Sequence, residues 1–423
     1  MNNVLIIGGG ASGLMAALEL LKHGMQVTII EAANRLGGRI CTIKGNGFSQ
    51  PVEAGAEFIH GDLPLTLSLL NEAGIKYHSI NGKMVHVEKG KRKKESGLDH
   101  HWNELMQQMA ALNHDMTLDD FLHTFFADDK YATLRASAKS FAGGFDLADT
   151  STASTQSLYN EWSEGMEGQY RINGGYEELI QYLKTQCIQR GCTINTECCV
   201  KKINWQKNEV NVLTMCSRIF KADKIILTVP LSILHAAPES KNYITFEPAI
   251  PGHISAAGNI GFGNVIKIIL EFNSDITKDK NAAGFFLTDE AIPTWWNQLP
   301  VNNTILTGWA GGEKVTSLKD NTDEYILGIA LQSLGNAFQI SVDDLSSQLK
   351  AYKIANWYKE PCIHGGYSFN TIKSTEAKKI LRRPVNDTIF FSGEALYEGS
   401  PGGTVEAALQ SGKKTAELLL KTL

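Results

Sequence analysis

Three glycines and one acidic residue near the start of the chain have the types and the spacing of a dinucleotide site. The stretch 8–13 reads G-G-G-A-S-G. Gly8 permits a tight turn, Gly10 has no Cβ to keep a pyrophosphate from the backbone, and Gly13 allows a helix to pack closely on a strand. Glu31 follows 18 residues after Gly13, where a carboxylate can bind an adenosine ribose and would repel a 2′-phosphate. The spacing therefore predicts a dinucleotide other than NADP.

Two further residues are candidates for chemistry because of the segments that carry them. Lys267 lies in the apolar run Ile260–Phe272, which predicts one long strand. A buried ammonium costs free energy unless it is paired or in contact with water. The alternative is a lysine that faces outward from a half-exposed strand. His60 lies in the segment G-A-E-F-I-H-G at 55–61, either as a residue of an active-site cavity or as a structural histidine.

The glycines must be positioned by a strand before them and a helix after them. Residues 4–7 form an apolar run, which is typical of a buried parallel strand. Apolar residues between 14 and 21 recur at helical spacing, Gly24 ends the helix, and residues 27–30 predict a second strand. The free N–H groups at the helix N-terminus would face the phosphates. The alternative is a β-α-β turn that binds no ligand, but the strand, the helix and the acid together favour dinucleotide binding.

Composition limits the possible classes of protein. The chain has 423 residues, 43% hydrophobic and 20% charged, with a net charge of −5, which predicts an ordinary globular protein of two or three domains and no nucleic-acid partner. The sequence contains neither a secretory signal nor a run of 18 apolar residues. Its seven cysteines are scattered without C-x-x-C spacing, so we expect free thiols and no metal site. These features predict a soluble, cytoplasmic protein without a membrane anchor.

The segment after the second strand identifies a family resemblance. Residues 31–39 read E-A-A-N-R-L-G-G-R, which resembles the flavin-dependent amine oxidase family of monoamine oxidases, polyamine oxidases and L-amino-acid oxidases. The resemblance implies FAD rather than NAD. Two glycines allow the backbone to lie against a ligand, and Arg39 supplies a planar cation for phosphate or flavin oxygens.

Motifs similar to the family's continue along nearly the whole chain, and they imply both a fold and a set of cofactor contacts. The implied fold is α/β, with a Rossmann-type FAD-binding domain and an α+β substrate domain that combines a mixed sheet with a helical insertion. We expect the FAD-binding domain at 1–75, 190–245 and 380–423, and the substrate domain at 76–189 and 246–379, with the insertion at 98–145. The implied cofactor-binding residues are Gly8, Gly10, Ala11, Ser12, Gly13, Glu31, Ala32, Arg39, Ala56, Glu57, Val200, Trp357, Glu394, Thr404 and Val405.

The resemblance also implies the active-site residues. Lys267 matches a family lysine that holds a water against flavin N5, and His60 matches a position at the mouth of the substrate tunnel, so both are catalytic candidates. Tyr367 stands where monoamine oxidases attach a cysteine to the flavin, which implies non-covalent FAD. Thr404 replaces a tyrosine of the monoamine oxidase aromatic cage and favours a polyamine-like substrate. His60, Tyr367 and Thr404 are the implied substrate-binding residues.

The expected reaction is oxidation of an amine C–N bond by hydride transfer to flavin N5, with O₂ reduced to H₂O₂ and the imine hydrolysed. The partners would be a small amine and O₂; the sequence does not give an oligomeric state. Monoamine or L-amino-acid oxidation is an alternative, and an amino-acid oxidase would need a buried arginine, such as Arg135 or Arg171. A flavin desaturase or isomerase, or a flavin-binding protein without oxidase activity, is the alternative of another class.

Overall fold

The computed structural model describes residues 3–80, 83–93, 100–163, 168–277, 283–301, 304–400 and 402–423. Positions 98 and 99 of the predicted insertion lie outside these ranges. The strands are β1 (Asn3–Ile7), β2 (Gln26–Ile30), β3 (Thr42–Ile43), β4 (Val52–Glu53), β5 (Phe58–His60), β6 (Tyr77–Ser79), β7 (Lys83–Glu88), β8 (Lys91–Lys93), β9 (Gln169–Ile172), β10 (Thr193–Asn195), β11 (Val200–Gln206), β12 (Glu209–Thr214), β13 (Ile219–Ala222), β14 (Lys224–Leu227), β15 (Thr245–Glu247), β16 (Gly261–Phe262), β17 (Val265–Phe272), β18 (Ala283–Leu287), β19 (Thr294–Asn297), β20 (Ile305–Gly311), β21 (Leu349–Asn356), β22 (Ser368–Phe369) and β23 (Ile389–Phe391).

The α-helices are α1 (Ala11–Lys22), α2 (Pro64–Glu72), α3 (Trp102–Ala110), α4 (Leu118–Phe125), α5 (Ala132–Gly144), α6 (Thr155–Ser163), α7 (Glu177–Gln189), α8 (Leu231–Leu234), α9 (Pro251–Ala257), α10 (Glu313–Thr316), α11 (Asp323–Phe338), α12 (Val342–Gln348), α13 (Ser374–Leu381) and α14 (Val405–Leu420). Short 3-10 helices cover Asp129–Tyr131 and Glu394–Leu396.

β1 lies in the middle of a five-stranded parallel sheet with the order β10-β2-β1-β14-β23. Leu5 lies opposite Ile225, and Ile226 lies opposite Phe390, so strands from the start, middle and end of the chain are neighbours. The side chains of β1 pack into two separate cores, one on each face of the sheet, which explains why residues 4–7 are apolar throughout. The predicted order of strand, glycine turn, helix and strand is confirmed.

α1 packs under the sheet against α14 and α7. A Cβ on Gly412 of α14 would lie 2.3 Å from the backbone oxygen of Ser12, so only glycine permits this close approach of α14 to α1. α7, which the predicted boundaries assign to the substrate domain, contributes Leu179 and Leu183 to the core beside α1. The domain boundaries themselves stay a prediction.

A seven-stranded mixed sheet, ordered β21-β17-β20-β19-β18-β7-β8, forms the centre of the second domain. β18 pairs with β7 in parallel, and the other neighbours are antiparallel. Every residue of β17 is buried, Lys267 included. With the parallel sheet of the first domain, this gives the two-domain α/β architecture that the sequence predicted.

The prediction of one strand over Ile260–Phe272 is wrong. The chain forms β16, breaks at Gly263 and Asn264, and then forms β17 in a different sheet. The amide of Gly263 donates to the backbone oxygen of Tyr367 at 2.9 Å, and a Cβ on Gly263 would lie 2.2 Å from the backbone oxygen of Leu147. The close approach of the segment at Leu147 therefore requires a glycine at the point where the chain passes from one sheet to the other.

The helices α3 to α6, which follow one another in the sequence, build a small core of their own. In α4, Leu118, Phe121 and Leu122 are buried at helical spacing, and the hydroxyl of Thr117 caps the helix by accepting from the amide of Asp120 at 3.1 Å. No helix within the described ranges is both long and apolar enough to cross a membrane.

Candidate active site

A cavity of about 1710 Å³ is lined by residues of both sheets and of the helical segment. Pockets for small ligands measure roughly 300–1,000 Å³, so this cavity has room for a dinucleotide and a second molecule. It brings together nearly all of the predicted site residues: Gly8, Gly10, Ala11, Ser12, Glu31, Ala32, Arg39, Ala56, Glu57, His60, Val200, Lys267, Trp357, Tyr367, Glu394, Thr404 and Val405.

Gly13 is the predicted site residue that does not line the cavity. A Cβ on Gly13 would lie 2.0 Å from the backbone oxygen of Gly8. Gly13 therefore acts through the close packing of α1 on the glycine turn, which is the physical reason given for a glycine at this position.

The backbone at Gly10 and Gly38 leaves an open cradle at the N-terminus of α1. The nearest atom to a Cβ on Gly10 would be the backbone oxygen of Gly37, at 3.8 Å, and a Cβ on Gly38 would lie 3.7 Å from Cα of Gly10. The first turn of α1 contains no acidic residue, so its N–H groups and positive dipole end are not neutralised locally. These residues fit the pyrophosphate of a dinucleotide.

Glu31 is held at the end of β2 by two backbone amides. Its Oε2 accepts from the amide of Gly9 at 2.7 Å, and its Oε1 accepts from the amide of Ala33 at 2.8 Å. An ionised carboxylate can accept about four hydrogen bonds, so acceptor capacity remains for ribose hydroxyls. The geometry fits the predicted ribose contact.

Arg39 links the glycine turn to the last part of the chain. Its Nη1 donates to Oε1 of Glu394 at 2.8 Å and to the backbone oxygen of Gly366 at 2.9 Å. Glu394 is 5% exposed and also accepts from Oγ of Ser368 at 2.6 Å. The guanidinium therefore neutralises a buried carboxylate on the cavity wall, and its other N–H groups can still donate to a ligand.

Thr404 and Val405 start the last long helix at the cavity wall. The hydroxyl of Thr404 accepts from the amide of Ala407 at 3.1 Å and so caps α14. Because this hydroxyl accepts a helix N–H, the structure gives Thr404 a capping role in addition to its predicted contacts with ligand. The positive end of the α14 dipole lies at this point of the cavity.

Lys267 projects from β17 into a buried ion pair that sequence reasoning did not find. Its Nζ donates to Oε2 of Glu57 at 2.6 Å and to the backbone oxygen of Gly55 at 3.0 Å. Both side chains are at most 3% exposed. An ammonium has three N–H donors, so one remains after these two acceptors.

Glu57 also binds the cation of Arg171. Nη2 of Arg171 and Nε1 of Trp296 donate to Oε1 of Glu57 at 2.8 and 3.0 Å. Burial alone would raise the pKa of Glu57, but the charges of Lys267 and Arg171 outweigh burial and lower it. Glu57 is therefore an ionised carboxylate that compensates two buried cations, a role beyond the predicted cofactor contact.

His60 faces aromatic side chains at the end of β5. Its ring lies 5.9 Å from that of Phe58 and 6.0 Å from that of Phe145, between centroids. Burial lowers the pKa of His60 to about 4, so the imidazole is neutral at physiological pH. Among the described residues, no group hydrogen-bonds its Nδ1, which leaves one polar atom available in an apolar part of the cavity.

Aromatic residues form much of the remaining wall. Tyr367 stacks on Trp309 with centroids 6.4 Å apart and planes at 27°, and its hydroxyl donates to the backbone oxygen of Phe145. Burial raises the pKa of Tyr367 well above its usual range. Nε1 of Trp357 donates to the backbone oxygen of Ala54 at 2.8 Å. These contacts fix large apolar surfaces on which a planar ring or an alkyl chain could lie.

Two acidic residues at the helical segment also line the cavity, and sequence reasoning missed them. Asp146 is 5% exposed and accepts from Nε1 of Trp162 at 2.8 Å. Burial, followed by the charge of Glu161 and a hydrogen bond with it, raises the pKa of Asp146 well above its usual range. No motif surrounds either acid, and only the fold brings α6 next to the end of α5.

The cavity is acidic overall. Among its described lining residues, eight are Asp or Glu and three are Lys or Arg. The two arginines considered for a substrate carboxylate lie elsewhere: Arg171 binds Glu57, and Arg135 donates to the backbone oxygens of Phe126 and Asp128 at 2.6 and 2.8 Å. Away from the glycine cradle, the part of the cavity beside Asp146 and Glu161 is therefore suited to a cation rather than to an anion.

Comparison with known proteins gives the family. The family model described as flavin containing amine oxidoreductase matches residues 11–420. The chain belongs to this family. The family implies a flavin cofactor, and the glycine cradle, Glu31 and the aromatic cavity are consistent with one.

Individual relatives of this amine oxidoreductase are distant but extend along the chain. It is 26% identical to lysine-specific histone demethylase 1B of Mus musculus over 98% of this chain and 52% of that protein. It is 25% identical to polyamine oxidase 4 of Oryza sativa subsp. japonica over 98% of this chain and 88% of that protein. The chain thus spans about half the length of the demethylase relative.

Solved structures of two amine oxidases share the fold. Wild-type putrescine oxidase bound to putrescine superposes with a TM-score of 0.80 at 20% identity, covering 99% of both chains. Cyclohexylamine oxidase from Brevibacterium oxydans superposes with a TM-score of 0.80 at 18% identity, covering 100% of this chain and 99% of that one.

Proposed function

We propose that this amine oxidoreductase binds FAD without a covalent bond and oxidises a C–N bond of a polyamine-like substrate. FAD, when bound, supplies the hydride acceptor at flavin N5 and then the electrons that reduce O₂ to H₂O₂. The imine product is released and hydrolysed. Monoamines and L-amino acids are the alternative substrates within the family.

The FAD part of the proposal is supported by the end of the cavity formed by the glycine turn and Glu31. The open cradle at Gly10 and the held carboxylate of Glu31 suit a pyrophosphate and a ribose. Cys362, the cysteine that precedes Gly366 and Tyr367, has its sulfur 3.9 Å from that of Cys199 and near Glu31. Cys362 therefore points to the ribose end of the site, which supports non-covalent binding.

The polyamine part rests on one observation, the pair Asp146 and Glu161 in an aromatic wall. Two neighbouring carboxyl groups in a buried site share a proton because both cannot ionise at low cost. A second ammonium of the substrate, placed against the pair, would allow both to ionise. A diamine or polyamine has such a second cation, whereas benzylamine does not.

The amine that reacts must be neutral, because its nitrogen lone pair drives hydride loss from the adjacent carbon. The aromatic wall around Tyr367 and Trp309 disfavours an ammonium and lowers its pKa. Neutral His60 can accept a hydrogen bond from that nitrogen at its bare ring atom. Lys267, fixed by Glu57, can use its remaining N–H to hold a water in the cavity.

The cavity gives an amino-acid substrate less support. An α-carboxylate in a buried site needs a cation, and Arg135 and Arg171 already bind backbone oxygens or Glu57. An L-amino-acid oxidase would therefore need Arg35 or Arg39, both at the predicted cofactor end of the cavity.

The test is peroxide release from purified protein supplied with spermine, spermidine, acetylated spermidine, benzylamine and L-amino acids. We expect peroxide with the polyamines, and a yellow supernatant after acid precipitation because the flavin is not attached. Peroxide only with L-amino acids would overturn the substrate class. If the flavin-loaded protein releases no peroxide with any of these compounds, a desaturase, an isomerase or a flavin-binding protein without oxidase activity is favoured.

The variant Asp146→Asn tests the acidic pair, since asparagine can still accept from Trp162. We expect KM for spermidine to rise about tenfold, which corresponds to about 1.4 kcal/mol, with little change for benzylamine if it is turned over at all. The exposed Asp343→Asn serves as a control and should change neither value. An equal effect of Asp146→Asn on both amines would contradict a role in binding the second ammonium.

A further inference from the structure

Two cysteines that lie far apart in the sequence meet in the cavity wall. Cys199 immediately precedes β11, and Cys362 lies in the loop between β21 and β22. Their sulfur atoms are 3.9 Å apart although 163 residues separate them along the chain. Both line the cavity and both are partly exposed.

Each cysteine is held in place by its own segment. The backbone oxygen of Cys199 accepts from the amide of Met215 at 2.8 Å. On the other side, the hydroxyl of Ser232 donates to the backbone oxygen of Ile363, the residue after Cys362. A disulfide has its sulfur atoms about 2 Å apart, so a small movement of either side chain would join two positions that the fold already holds together.

The two thiols are chemically unequal. The hydrogen bond with Cys362 lowers the pKa of Cys199 to about 7, whereas the same contact, together with burial, raises the pKa of Cys362. The negative charge of nearby Glu31 acts against thiolate formation at both. The thiol of Cys362 also donates to Oδ1 of Asn242 at 3.5 Å, which favours its protonated form. Cys199 is therefore assigned as the nucleophile of the pair, because the thiolate is the reactive form.

Other cysteines of the chain provide the comparison. Burial raises the pKa of Cys187 to about 12 and that of Cys192 to about 11, so both are inert thiols. Cys216 is exposed, and a hydrogen bond with Thr214 lowers its pKa, but its sulfur has no thiol partner among the contacts of the described residues.

We propose that Cys199 and Cys362 form a peroxide-sensitive dithiol that closes reversibly to a disulfide at the ribose end of the cavity. The Cys199 thiolate attacks one oxygen of H₂O₂, the O–O bond breaks, and hydroxide leaves, which gives a sulfenic acid on Cys199. The thiol of Cys362 then attacks that sulfur, and water leaves as the S–S bond forms. In total, two thiols lose two hydrogens and one H₂O₂ becomes two molecules of water.

The supply of peroxide within the molecule rests on the proposed function, since the oxidase reaction releases H₂O₂ from the same protein. The chemistry of the pair does not depend on that source. Reagent H₂O₂ therefore tests the dithiol separately: its failure would leave the oxidase proposal intact, and an inactive enzyme could still form the disulfide.

The experiment treats the purified, flavin-loaded protein with equimolar H₂O₂, blocks remaining thiols with iodoacetamide and maps the peptides by mass spectrometry without reduction. We expect a peptide that links Cys199 to Cys362, the loss of two free thiols, and recovery of both after dithiothreitol. Oxidation of Cys216 while Cys199 and Cys362 stay alkylated would overturn the proposal.

Two variants separate the steps. In Cys362→Ser the sulfenic acid cannot be resolved, so dimedone should label Cys199. In Cys216→Ser, the matched control, the Cys199–Cys362 link should form as in the unmodified protein. If dimedone labels no cysteine of Cys362→Ser, or labels Cys216 alone, the assignment of Cys199 as the nucleophile is contradicted. If Cys362→Ser does not fold, the peptide map of the unmodified protein decides whether the disulfide forms.

Discussion

At the residue scale, the carboxylate of Glu57 compensates two buried cations, Lys267 and Arg171, which come from different segments of the chain. Removing one partner of a buried ion pair leaves an uncompensated charge, which typically costs about 3–5 kcal/mol. We expect Glu57→Gln to lower the free energy of unfolding by an amount in this range, measured by urea denaturation.

Glu271→Gln is the matched control for Glu57→Gln. Glu271 is also buried, but its partner Lys350 is 40% exposed, so the cation can turn into water when the carboxylate is lost. We expect a clearly smaller loss of stability. Equal losses of unfolding free energy in the two variants would show that Glu57 does not compensate the buried charges of Lys267 and Arg171.

Site residues could be predicted where the motif that marks them lies within one short stretch of sequence, and could not be predicted where distant segments must meet. The glycine turn and Glu31 lie within one short stretch, where spacing alone reports a strand, a helix and an acid. The Lys267–Glu57 pair joins positions that are 210 residues apart, and no pattern in either segment names the other. Asp146 and Glu161 meet only because the helical segment folds back on itself.

At the scale of elements, the glycine turn before α1 separates packing from ligand binding. A Cβ on Gly13 would lie 2.0 Å from the backbone oxygen of Gly8, whereas a Cβ on Gly10 would meet no protein atom closer than 3.8 Å. Gly13→Ala should therefore destabilise the protein by about 1–3 kcal/mol through overpacking. Gly10→Ala should cost no more than about 1 kcal/mol, the effect of a poorer N-cap.

The affinity for FAD should show the opposite order from stability. The methyl group of Gly10→Ala would occupy the space in which we expect the pyrophosphate, so the dissociation constant for FAD should rise at least tenfold. Urea unfolding of the flavin-free protein measures the stability, and flavin fluorescence measures the binding. Unchanged FAD binding by Gly10→Ala would contradict the cradle.

The ends of helices and strands are predictable from sequence where a nearby glycine or proline ends the element. They are not predictable where a contact with a distant segment does so. Gly24 follows α1 at the expected place. The break between β16 and β17 falls where Gly263 packs against Leu147, which is far away in the sequence. The apolar run Ile260–Phe272 contains no local signal for this contact and therefore predicts a single strand.

At the scale of the whole molecule, Glu53 should make global stability depend on pH. Glu53 accepts from the amide of Tyr176 at 2.6 Å and from the hydroxyl of Thr42 at 2.9 Å, and burial raises its pKa to about 7. The folded state therefore binds this proton more tightly than the unfolded state does. Its stabilising contribution is full below the ordinary glutamate pKa of 4.5 and is lost as the pH rises to about 7.

Glu53→Gln removes this titration while its amide oxygen can still accept from Tyr176 and Thr42. Relative to the unmodified protein, the variant should gain stability between about pH 4.5 and 7, measured as the difference in the free energy of urea unfolding at each pH. The folded-state pKa of Glu271 is lowered, so Glu271→Gln should instead lose stability relative to the unmodified protein as the pH rises towards 4.5, and the difference should be nearly constant above that pH. A pH-independent difference for Glu53→Gln would contradict the raised pKa.

The parallel sheet also has a consequence for biosynthesis. Its central strand β1 leaves the ribosome well before its neighbours, because β14 follows more than two hundred residues later and β23 later still. Until α14 has emerged and Gly412 packs against Ser12, the apolar surface of α1 that α14 covers is exposed in the nascent chain. Half-made chains are therefore prone to aggregate, and the yield of this protein should depend strongly on chaperones that shield its first helix.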